Sequence, residues 1–208
     1  MADSLKVKRA QLLLKRIIDI LIATMLLIVL APLLLAITVA IRLTNGTPIL
    51  YEWRVVGQGG RPFVGYKFRT MVVNADQLKN ELMRHNEMNG GPVFKIKDDP
   101  RITPLGRFLR KYSLDELPQL WSVLKGDISM VGPRPPLVRE YAEFKEWQKR
   151  KVSVKPGMTS LWQVSGKPME WDDWLRLDFE YIDHWSLWLD FKILLKTVPV
   201  VLSGRGAH

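Results

Sequence analysis

Two neighbouring carboxylates, Asp115 and Glu116, lie in the stretch SLDELPQLWSVLKGDISMVGPRPPL, which runs from residue 113 to residue 137. A carboxylate can act as a nucleophile toward phosphorus, and Mg²⁺ commonly bridges one or two carboxylates to the phosphates of a substrate. Two adjacent acids can therefore divide the roles, one attacking a phosphate and the other holding the cation. The pair leads to the hypothesis of phosphoryl-transfer chemistry with Mg²⁺ as the cofactor.

Arginines in the same region can offset the negative charge of a diphosphate. Arg134 lies between Pro133 and Pro135, and Arg110 comes five residues before Asp115. A guanidinium matches phosphate oxygens with two parallel hydrogen bonds, and an arginine on a stiffened backbone loses less entropy when it binds. Both arginines are therefore candidate phosphate ligands.

The residues around the acid pair also carry a helix-start pattern. Ser113 followed three residues later by Glu116 is a capping-box signature, and Pro118 removes a backbone donor in the first turns. The pattern predicts a helix capped by Ser113, with Asp115 at its positive end, where the helix dipole keeps a carboxylate ionised. The structural alternative is that the two acids only stabilise this helix end.

Composition narrows the classes of function. The 208 residues carry a formal net charge of +10 and include no cysteine, which excludes disulfides, thiolate zinc sites and cysteine nucleophiles. A strongly basic chain attracts phosphorylated substrates, anionic lipid or nucleic acid. The hydrophobic N-terminal segment and the lack of a nucleic-acid reader motif argue against nucleic acid as the partner.

Residues 20–41 form an uncharged hydrophobic run. A straight helix of this length would measure about 33 Å, enough to cross the hydrocarbon core of a bilayer. Pro32 lies near the middle and breaks a helix, and basic residues flank both ends, which the positive-inside rule keeps on the cytoplasmic side. We therefore predict a re-entrant membrane helix broken at Ala31 and Pro32, with a single membrane span as the alternative.

Charged residues precede this run. Lys15, Arg16 and Asp19 are predicted to anchor the chain at the membrane interface, where an ion pair between the last two is tolerated. We expect residues 1–44 to form the basic N terminus and the re-entrant helix. Residues 45–208 are expected to form a catalytic domain on the cytosolic face, with amphipathic interfacial helices.

The remaining chain predicts an α+β fold that is mostly helical. Residues 57–71 read as a turn followed by a strand, a small β-hairpin in which Lys67 and Arg69 share one face and form a basic platform. Six of the eight tryptophans lie between residues 147 and 188, which favours contact of this half with a membrane surface. Helices are predicted at residues 74–89, 106–112, 136–151, 170–184 and 186–203.

Four stretches of the sequence resemble the bacterial sugar transferase family, the monotopic phosphoglycosyl transferases that act on polyprenol phosphate. They are KRIIDI at 15–20, YKFRTM at 66–71, DPRITPLGRFLRKYSLDELPQLWSVLKGDISMVGPRPPL at 99–137 and KPGMTSLWQVSGK at 155–167. The likeness covers nearly the whole chain, and the long central stretch is very specific. The chain is expected to be the minimal form of the family, without extra spanning helices.

The resemblance implies an enzyme of the bacterial inner membrane, with its catalytic domain on the cytoplasmic face. It would transfer a sugar 1-phosphate from a UDP-sugar to undecaprenyl phosphate and release UMP, as the first membrane step of polysaccharide synthesis. Asp115 would attack the sugar-bearing phosphate and form an aspartyl intermediate, which the polyprenol phosphate then resolves.

The resemblance also implies roles for further residues. Asp115, Glu116 and Asp178 would hold Mg²⁺. The substrate-binding residues would be Lys67, Arg69, Arg110, Arg134, Gln163 and Lys167. The family's helix break matches Pro32, although Ala31 stands where relatives often have serine.

One alternative is a non-enzymatic, basic, membrane-anchored scaffold that binds anionic lipid. It explains the charge, the tryptophans and the hydrophobic run, but not the acid pair with its proline-framed arginine. The expected partners are a UDP-sugar, undecaprenyl phosphate and the lipid bilayer, and nucleic acid is not expected. Whether the chain forms a homodimer is left open.

Overall fold

The hydrophobic N-terminal segment folds as two helices that meet at a sharp bend. The computed structural model describes residues 2–96 and 98–204 and begins with α1 (Ala2–Val29) and α2 (Ala31–Asn45). The chain bends by 61° between them. Pro32 lies in the first turn of α2, where a residue without an N–H group costs no helical hydrogen bond. The predicted break of the helix near Pro32 is confirmed.

Length and composition bear on the membrane prediction. Among the described residues, no single helix is long and apolar enough to cross a bilayer. The pair Arg9–Val29 and Ala31–Asn45 meets that test only when its two helices are taken together. The re-entrant placement of this pair in a membrane therefore stays a prediction.

The predicted β-hairpin is confirmed. Strand β1 (Leu50–Val56) pairs in antiparallel register with β2 (Pro62–Phe68), and Trp53 lies opposite Gly65. A Cβ at Gly65 would lie 2.2 Å from the indole nitrogen of Trp53, so only glycine leaves room for the ring. The hairpin therefore holds this indole flat against its own second strand, beside Lys67.

Short helices and two short strands make up the rest of the described chain. In chain order they are α3 (Ala75–Leu82), α4 (Pro104–Lys111), α5 (Gln119–Lys125), β3 (Ser129–Val131), α6 (Val138–Ala142), β4 (Gly157–Thr159), α7 (Leu161–Val164), α8 (Trp171–Asp183) and α9 (Leu187–Leu202). Strands β3 and β4 pair in parallel. The predicted α+β, mostly helical fold is confirmed.

Two of the predicted helices are shorter than expected. The run at residues 74–89 gives only α3 and a 3-10 turn at Met83–His85. The run at residues 136–151 is divided into α6 and a 3-10 segment, Glu146–Val152. The prediction of one surface helix is wrong there, because Lys151 is 2% exposed and points into the core instead of the solvent.

The two N-terminal helices share hydrophobic cores with the downstream chain. Ala23 of α1 lies in a buried cluster with Leu120 of α5 and Ile193 of α9. Ile41 of α2 lies in another cluster with Leu109 of α4. These helices are therefore packed directly on the elements that carry the charged residues of the central stretch.

Lys15, which is predicted to lie at a membrane interface, binds groups of the protein core. Its ammonium forms an ion pair with Asp190 Oδ2 at 2.5 Å and donates to the carbonyl of Val131 at 3.0 Å. Tyr181 donates to the other carboxylate oxygen of Asp190 at 2.7 Å. Protein groups therefore satisfy the charge of this lysine, and its role as an interface anchor stays a prediction.

Arg16 and Asp19 also bind the core instead of each other. Arg16 donates to the carbonyls of Val123 and Leu124 at 2.6 and 2.7 Å, in the last turn of α5. Asp19 is buried and accepts from the N–H of Met130 at 3.1 Å. The predicted interfacial ion pair is wrong, because each charge ties α1 to a neighbouring element.

Candidate active site

A cavity of about 760 Å³ brings together the side chains that the sequence predicts for catalysis and substrate binding. Its lining includes Lys67, Arg69, Arg110, Asp115, Glu116, Arg134, Gln163 and Lys167. The hairpin, α4, the acid-bearing turn and the loops before α6 and after α7 each supply part of the wall. All eight residues predicted for these two roles therefore meet at one place, although they come from distant segments.

The turn that carries the acid pair differs from the predicted helix start. Ser113 has a φ of 53°, in the left-handed region, and its side chain makes no cap hydrogen bond. Leu114–Glu116 forms a single 3-10 turn, and α5 begins after Pro118. The capping-box prediction is wrong, because the left-handed residue reverses the chain between α4 and α5 and places both carboxylates on the cavity wall.

Asp115 is only 8% exposed. Its burial and the adjacent Glu116 raise its pKa to about 6, against the opposing positive charges of Lys67 and Arg110. A helix dipole would have lowered the pKa of Asp115, whereas in this turn the pKa is raised. The carboxylate is still mostly ionised at neutral pH, but ionisation there costs free energy.

Glu116 is bound to Lys67. The two side chains form an ion pair at 2.6 Å, and the ammonium also lies 4.2 Å from the centre of the Trp53 ring. Although burial acts to raise the pKa of Glu116, the charges of Lys67, Lys167 and Arg134 hold it below its ordinary value. The two adjacent acids thus have pKa values moved in opposite directions, as expected for acids with different tasks.

Close packing of α4 fixes Arg110. A Cβ at Gly106 would lie 2.0 Å from the carbonyl oxygen of Thr70, so the helix lies directly against that backbone. Thr103 caps α4 by accepting from the Gly106 N–H at 3.0 Å. Arg110 Nε donates to the Thr70 hydroxyl at 2.9 Å. One hydrogen bond therefore orients the guanidinium at the cavity wall.

Arg69 joins the cavity wall to the end of α2. It is 5% exposed and donates to the carbonyl of Asn45, the last residue of that helix. Its Nε and Nη1 atoms are buried, and among the described residues they have no hydrogen-bond partner. One donor of Arg69 is thus used at the end of a helix, where a positive charge is favourable. Its contact with phosphate stays a prediction.

Arg134 is held from two sides. Its guanidinium lies 3.5 Å from Glu140 Oε2 and 5.2 Å from the centre of the Trp174 ring. Glu140 is itself buried and accepts from the Leu137 N–H at 2.8 Å. The stiff backbone predicted from the flanking prolines is thus accompanied by a fixed carboxylate and an aromatic face.

Gln163 and Lys167 reach the cavity from α7 and the loop after it. Ser160 caps α7 by accepting from the Gln163 N–H at 3.2 Å. Lys167 has a φ of 52°, and its ammonium lies 5.9 Å from the centre of the Trp162 ring. Burial lowers the pKa of Lys167, although the carboxylates of the acid pair oppose the shift.

Comparison with known proteins decides the family. The family model described as bacterial sugar transferase matches residues 10–204. The chain belongs to the bacterial sugar transferase family. The matched range includes the bent helices and every element of the cavity wall, and this assignment favours a transferase over the non-enzymatic scaffold.

Three named relatives are similar to this transferase. It is 52% identical over 165 residues to the galactosyl transferase CpsE of Streptococcus agalactiae, covering 78% of this chain and 36% of that protein. It is 43% identical over 205 residues to the undecaprenyl-phosphate galactose phosphotransferase of Salmonella typhimurium, covering 97% and 43%. It is 38% identical over 198 residues to the exopolysaccharide production protein ExoY of Sinorhizobium fredii, covering 93% and 88%. The chain therefore spans less than half the length of the first two relatives.

The transferase does not bring Asp178 into a metal group with Asp115 and Glu116. Asp178 is 1% exposed and forms an ion pair with Lys151, which is equally enclosed. In the part of the chain that the structure describes, no group of three or more acidic or histidine side chains could hold a metal ion. The metal role predicted for Asp178 is corrected to a structural one, because its charge is matched by a buried lysine.

Sequence reasoning missed the aromatic part of the cavity wall. Trp53, Trp162 and Trp174 line it, and the rings of the last two stack with 3.9 Å between their centres and 7° between their planes. The available signal for this wall was Trp162, which directly precedes Gln163 within a stretch already assigned to substrate binding.

The prediction of membrane contact is wrong for Trp162, Trp171 and Trp174, which are buried, whereas Trp188 is 60% exposed.

Proposed function

We propose that this transferase moves a sugar 1-phosphate from a UDP-sugar to undecaprenyl phosphate and releases UMP, in the assembly of a bacterial polysaccharide. The observation that carries the proposal is the cavity in which an acid pair with divided pKa values is surrounded by lysines and arginines. A diphosphate donor and a phosphate acceptor both need such positive charge. The Salmonella relative is named an undecaprenyl-phosphate galactose phosphotransferase, which supports undecaprenyl phosphate as the acceptor.

The first step is an attack by Asp115 on the donor. A carboxylate oxygen forms a bond to the sugar-bearing phosphorus while the bond from that phosphorus to the bridging oxygen breaks, and UMP leaves with the electron pair. The buried carboxylate is suited to this role because its ionised form is destabilised by its surroundings. Arg134 and Lys167 offset the negative charge of the phosphates.

The second step restores Asp115. A phosphate oxygen of undecaprenyl phosphate attacks the same phosphorus, and the bond between phosphorus and the aspartate oxygen breaks. The products are undecaprenyl diphosphosugar and the free carboxylate. Two successive displacements at one phosphorus require both substrates to reach one nucleophile, which a single cavity permits.

Asp115 and Glu116 fit Mg²⁺ as a donor set. Mg²⁺ is usually held by one or two carboxylates together with substrate phosphates, and Glu116 keeps a quarter of its side chain exposed at the cavity. When bound, the ion supplies positive charge that offsets the charge on the phosphates. Glu116 is the ligand we assign first, and Lys67 keeps it ionised.

We also propose that the bent pair α1 and α2 enters the inner membrane from its cytoplasmic face, together with α9. These helices carry large apolar side chains that are exposed, and such a surface is typical of contact with an apolar partner. The exposed residues include Leu13, Ile28, Leu35, Leu43, Trp188, Leu195 and Leu202. A lipid-linked acceptor would then reach the cavity from the membrane.

The experiment is UMP release from a panel of UDP-sugars with undecaprenyl phosphate and Mg²⁺. Wild type is compared with Asp115→Asn and with Asp173→Asn, a matched change at an exposed carboxylate of α8. We expect one or a few sugars to give UMP, with loss only in Asp115→Asn. A folded wild type that releases no UMP from any UDP-sugar would overturn the proposal, as would full activity of Asp115→Asn.

A further inference from the structure

The loop before α4 carries a lysine to which the sequence assigns no role. Asn86 organises this loop: its Oδ1 accepts from the N–H groups of Met88 and Lys95 at 3.2 and 2.8 Å, and its Nδ2 donates to the carbonyl of Val93 at 3.1 Å. The Glu87 N–H donates to the Lys95 carbonyl at 2.8 Å. The Asn86 side chain and this backbone hydrogen bond together fix both the N–H and the carbonyl of Lys95.

The ammonium of Lys95 lies at the wall of the catalytic cavity. It is 3.3 Å from Met169 Sδ and 5.5 Å from the centre of the Trp162 ring. A thioether is a weak acceptor, whereas an ammonium has three donors to satisfy. These contacts carry no negative charge, so the lysine is held in place without being neutralised by them.

Two more cations lie close to the stacked rings of Trp162 and Trp174. Lys167 lies 5.9 Å from the centre of the Trp162 ring, and Arg134 lies 5.2 Å from that of Trp174. Burial and then the positive charges of Lys167 and Arg134 lower the pKa of Lys95 to about 8, with Glu87 opposing them. Three cations from three separate segments repel one another, and an anion with several oxygens between them would relieve that repulsion.

We propose that Lys95 is a phosphate-binding residue of the transferase, which grips the diphosphate of the donor together with Arg134 and Lys167. The assignment rests on the proposed function for the identity of the donor. It adds a contact that comes from the Asn86-organised loop, outside every stretch that predicts substrate binding. The lysine must be protonated to bind, so an anion that binds here draws a proton onto it in mildly alkaline solution.

The test is calorimetric titration of the full chain in detergent micelles with UDP and, separately, with inorganic pyrophosphate. Lys95→Met keeps the length and apolar stem of the side chain and removes its charge, and Lys95→Arg keeps the charge. Lys192→Met is the matched control, since Lys192 lies 5.3 Å from the centre of the Trp188 ring and does not line the cavity. Thermal unfolding checks that each variant is folded.

We expect Lys95→Met to weaken UDP and pyrophosphate binding at least about tenfold, while Lys192→Met leaves both unchanged. At pH 8, titrations in buffers of different ionisation enthalpy should show more proton uptake by wild type than by Lys95→Arg, because arginine is already protonated. UDP affinity within twofold of wild type in a folded Lys95→Met would overturn the assignment.

The outcomes separate this inference from the proposed function. If pyrophosphate binds through Lys95 but no UDP-sugar yields UMP, the phosphate site stands and the proposed donor is wrong. If UMP is released normally and Lys95→Met binds both probes like wild type, the reaction stands and the Lys95 assignment is wrong.

Discussion

Replacing Asp115 by asparagine should abolish turnover and, at the same time, make the folded protein more stable. The pKa of this carboxyl is raised from 3.8 to about 6 by burial and by Glu116. At roughly 1.4 kcal/mol per pKa unit, the ionised carboxylate costs the fold up to about 3 kcal/mol at neutral pH. An amide of the same shape removes the charge and therefore this cost.

The pH dependence of the effect has a definite sign. The folded chain binds this proton more tightly than the unfolded chain, so the associated stability is present below pH 3.8 and is lost as the pH rises through about 6. The gain of Asp115→Asn over wild type should therefore be near zero at pH 4. It should grow between pH 4 and 6 and be constant above pH 7.

Glu116→Gln is the matched control and should act in the opposite direction. The pKa of Glu116 is held below its ordinary value, chiefly by Lys67. The stability that this carboxylate adds to the fold is therefore present at neutral pH and lost on acidification. Removing the charge breaks the 2.6 Å ion pair with Lys67. The loss of this charge-assisted contact should lower the free energy of unfolding by about 1–3 kcal/mol.

The assay is unfolding of the detergent-solubilised protein, followed by tryptophan fluorescence in a chelator, with UMP release measured in parallel. The chelator keeps metal binding out of the comparison. A melting temperature of Asp115→Asn below that of wild type at pH 7.5 would refute the reasoning. So would an equal gain at pH 4 and at pH 7.5, because the gain would then not come from ionisation.

Three further predictions concern packing and buried charge. Gly106→Ala should lower the melting temperature and cut UMP release at least about tenfold, because the new Cβ would lie 2.0 Å from the Thr70 carbonyl oxygen and displace α4. Thermal unfolding measures the first effect, and the UMP assay measures the second. Lys151→Met should cost about 3–5 kcal/mol in a denaturant titration by leaving the buried Asp178 carboxylate unpaired, and adding Asp178→Leu should restore much of that loss. Lys15→Met should make α1 exchange its amide hydrogens faster, since this lysine joins the helix to the core.

Each of these expectations has its own contradicting result. Full activity and an unchanged melting temperature in Gly106→Ala would show that α4 tolerates displacement. A double variant no more stable than Lys151→Met would show that the lysine contributes packing and not charge. Wild-type exchange rates along α1 in Lys15→Met would show that the remaining contacts of α1, those of Arg16 and Asp19 included, hold that helix without Lys15.

The residues that meet at the cavity could be predicted from the sequence where their signals are local. Asp115 and Glu116 are adjacent, and Arg134 is marked by its flanking prolines, so residue type and spacing reveal them without any fold. The hairpin is equally local, since turn glycines and strand-forming residues lie next to each other. The resemblance to the family then supplied the positions, such as Gln163 and Lys167, that have no local pattern of their own.

Partners distant in the chain could not be predicted. The polar run that contains Lys151 predicts an exposed helix, and nothing near it indicates that Asp178 will neutralise the lysine inside the core. The prediction for Ser113 fails for a related reason: the sequence has the capping-box pattern, but the residue is left-handed in the turn between α4 and α5 and its side chain makes no cap hydrogen bond. Local preferences are a weak guide wherever tertiary contacts fix the backbone.

The charges before the hydrophobic run illustrate the same limit and have a consequence for the site. A general rule places Lys15 and Asp19 at a membrane interface, but the structure uses both to bind β3: Lys15 donates to the Val131 carbonyl and Asp19 accepts from the Met130 N–H. This strand leads directly into the segment that carries Arg134. Helix α1 and the segment that carries Arg134 are therefore joined through one short strand, so we expect a change in the position of α1 to alter the cavity.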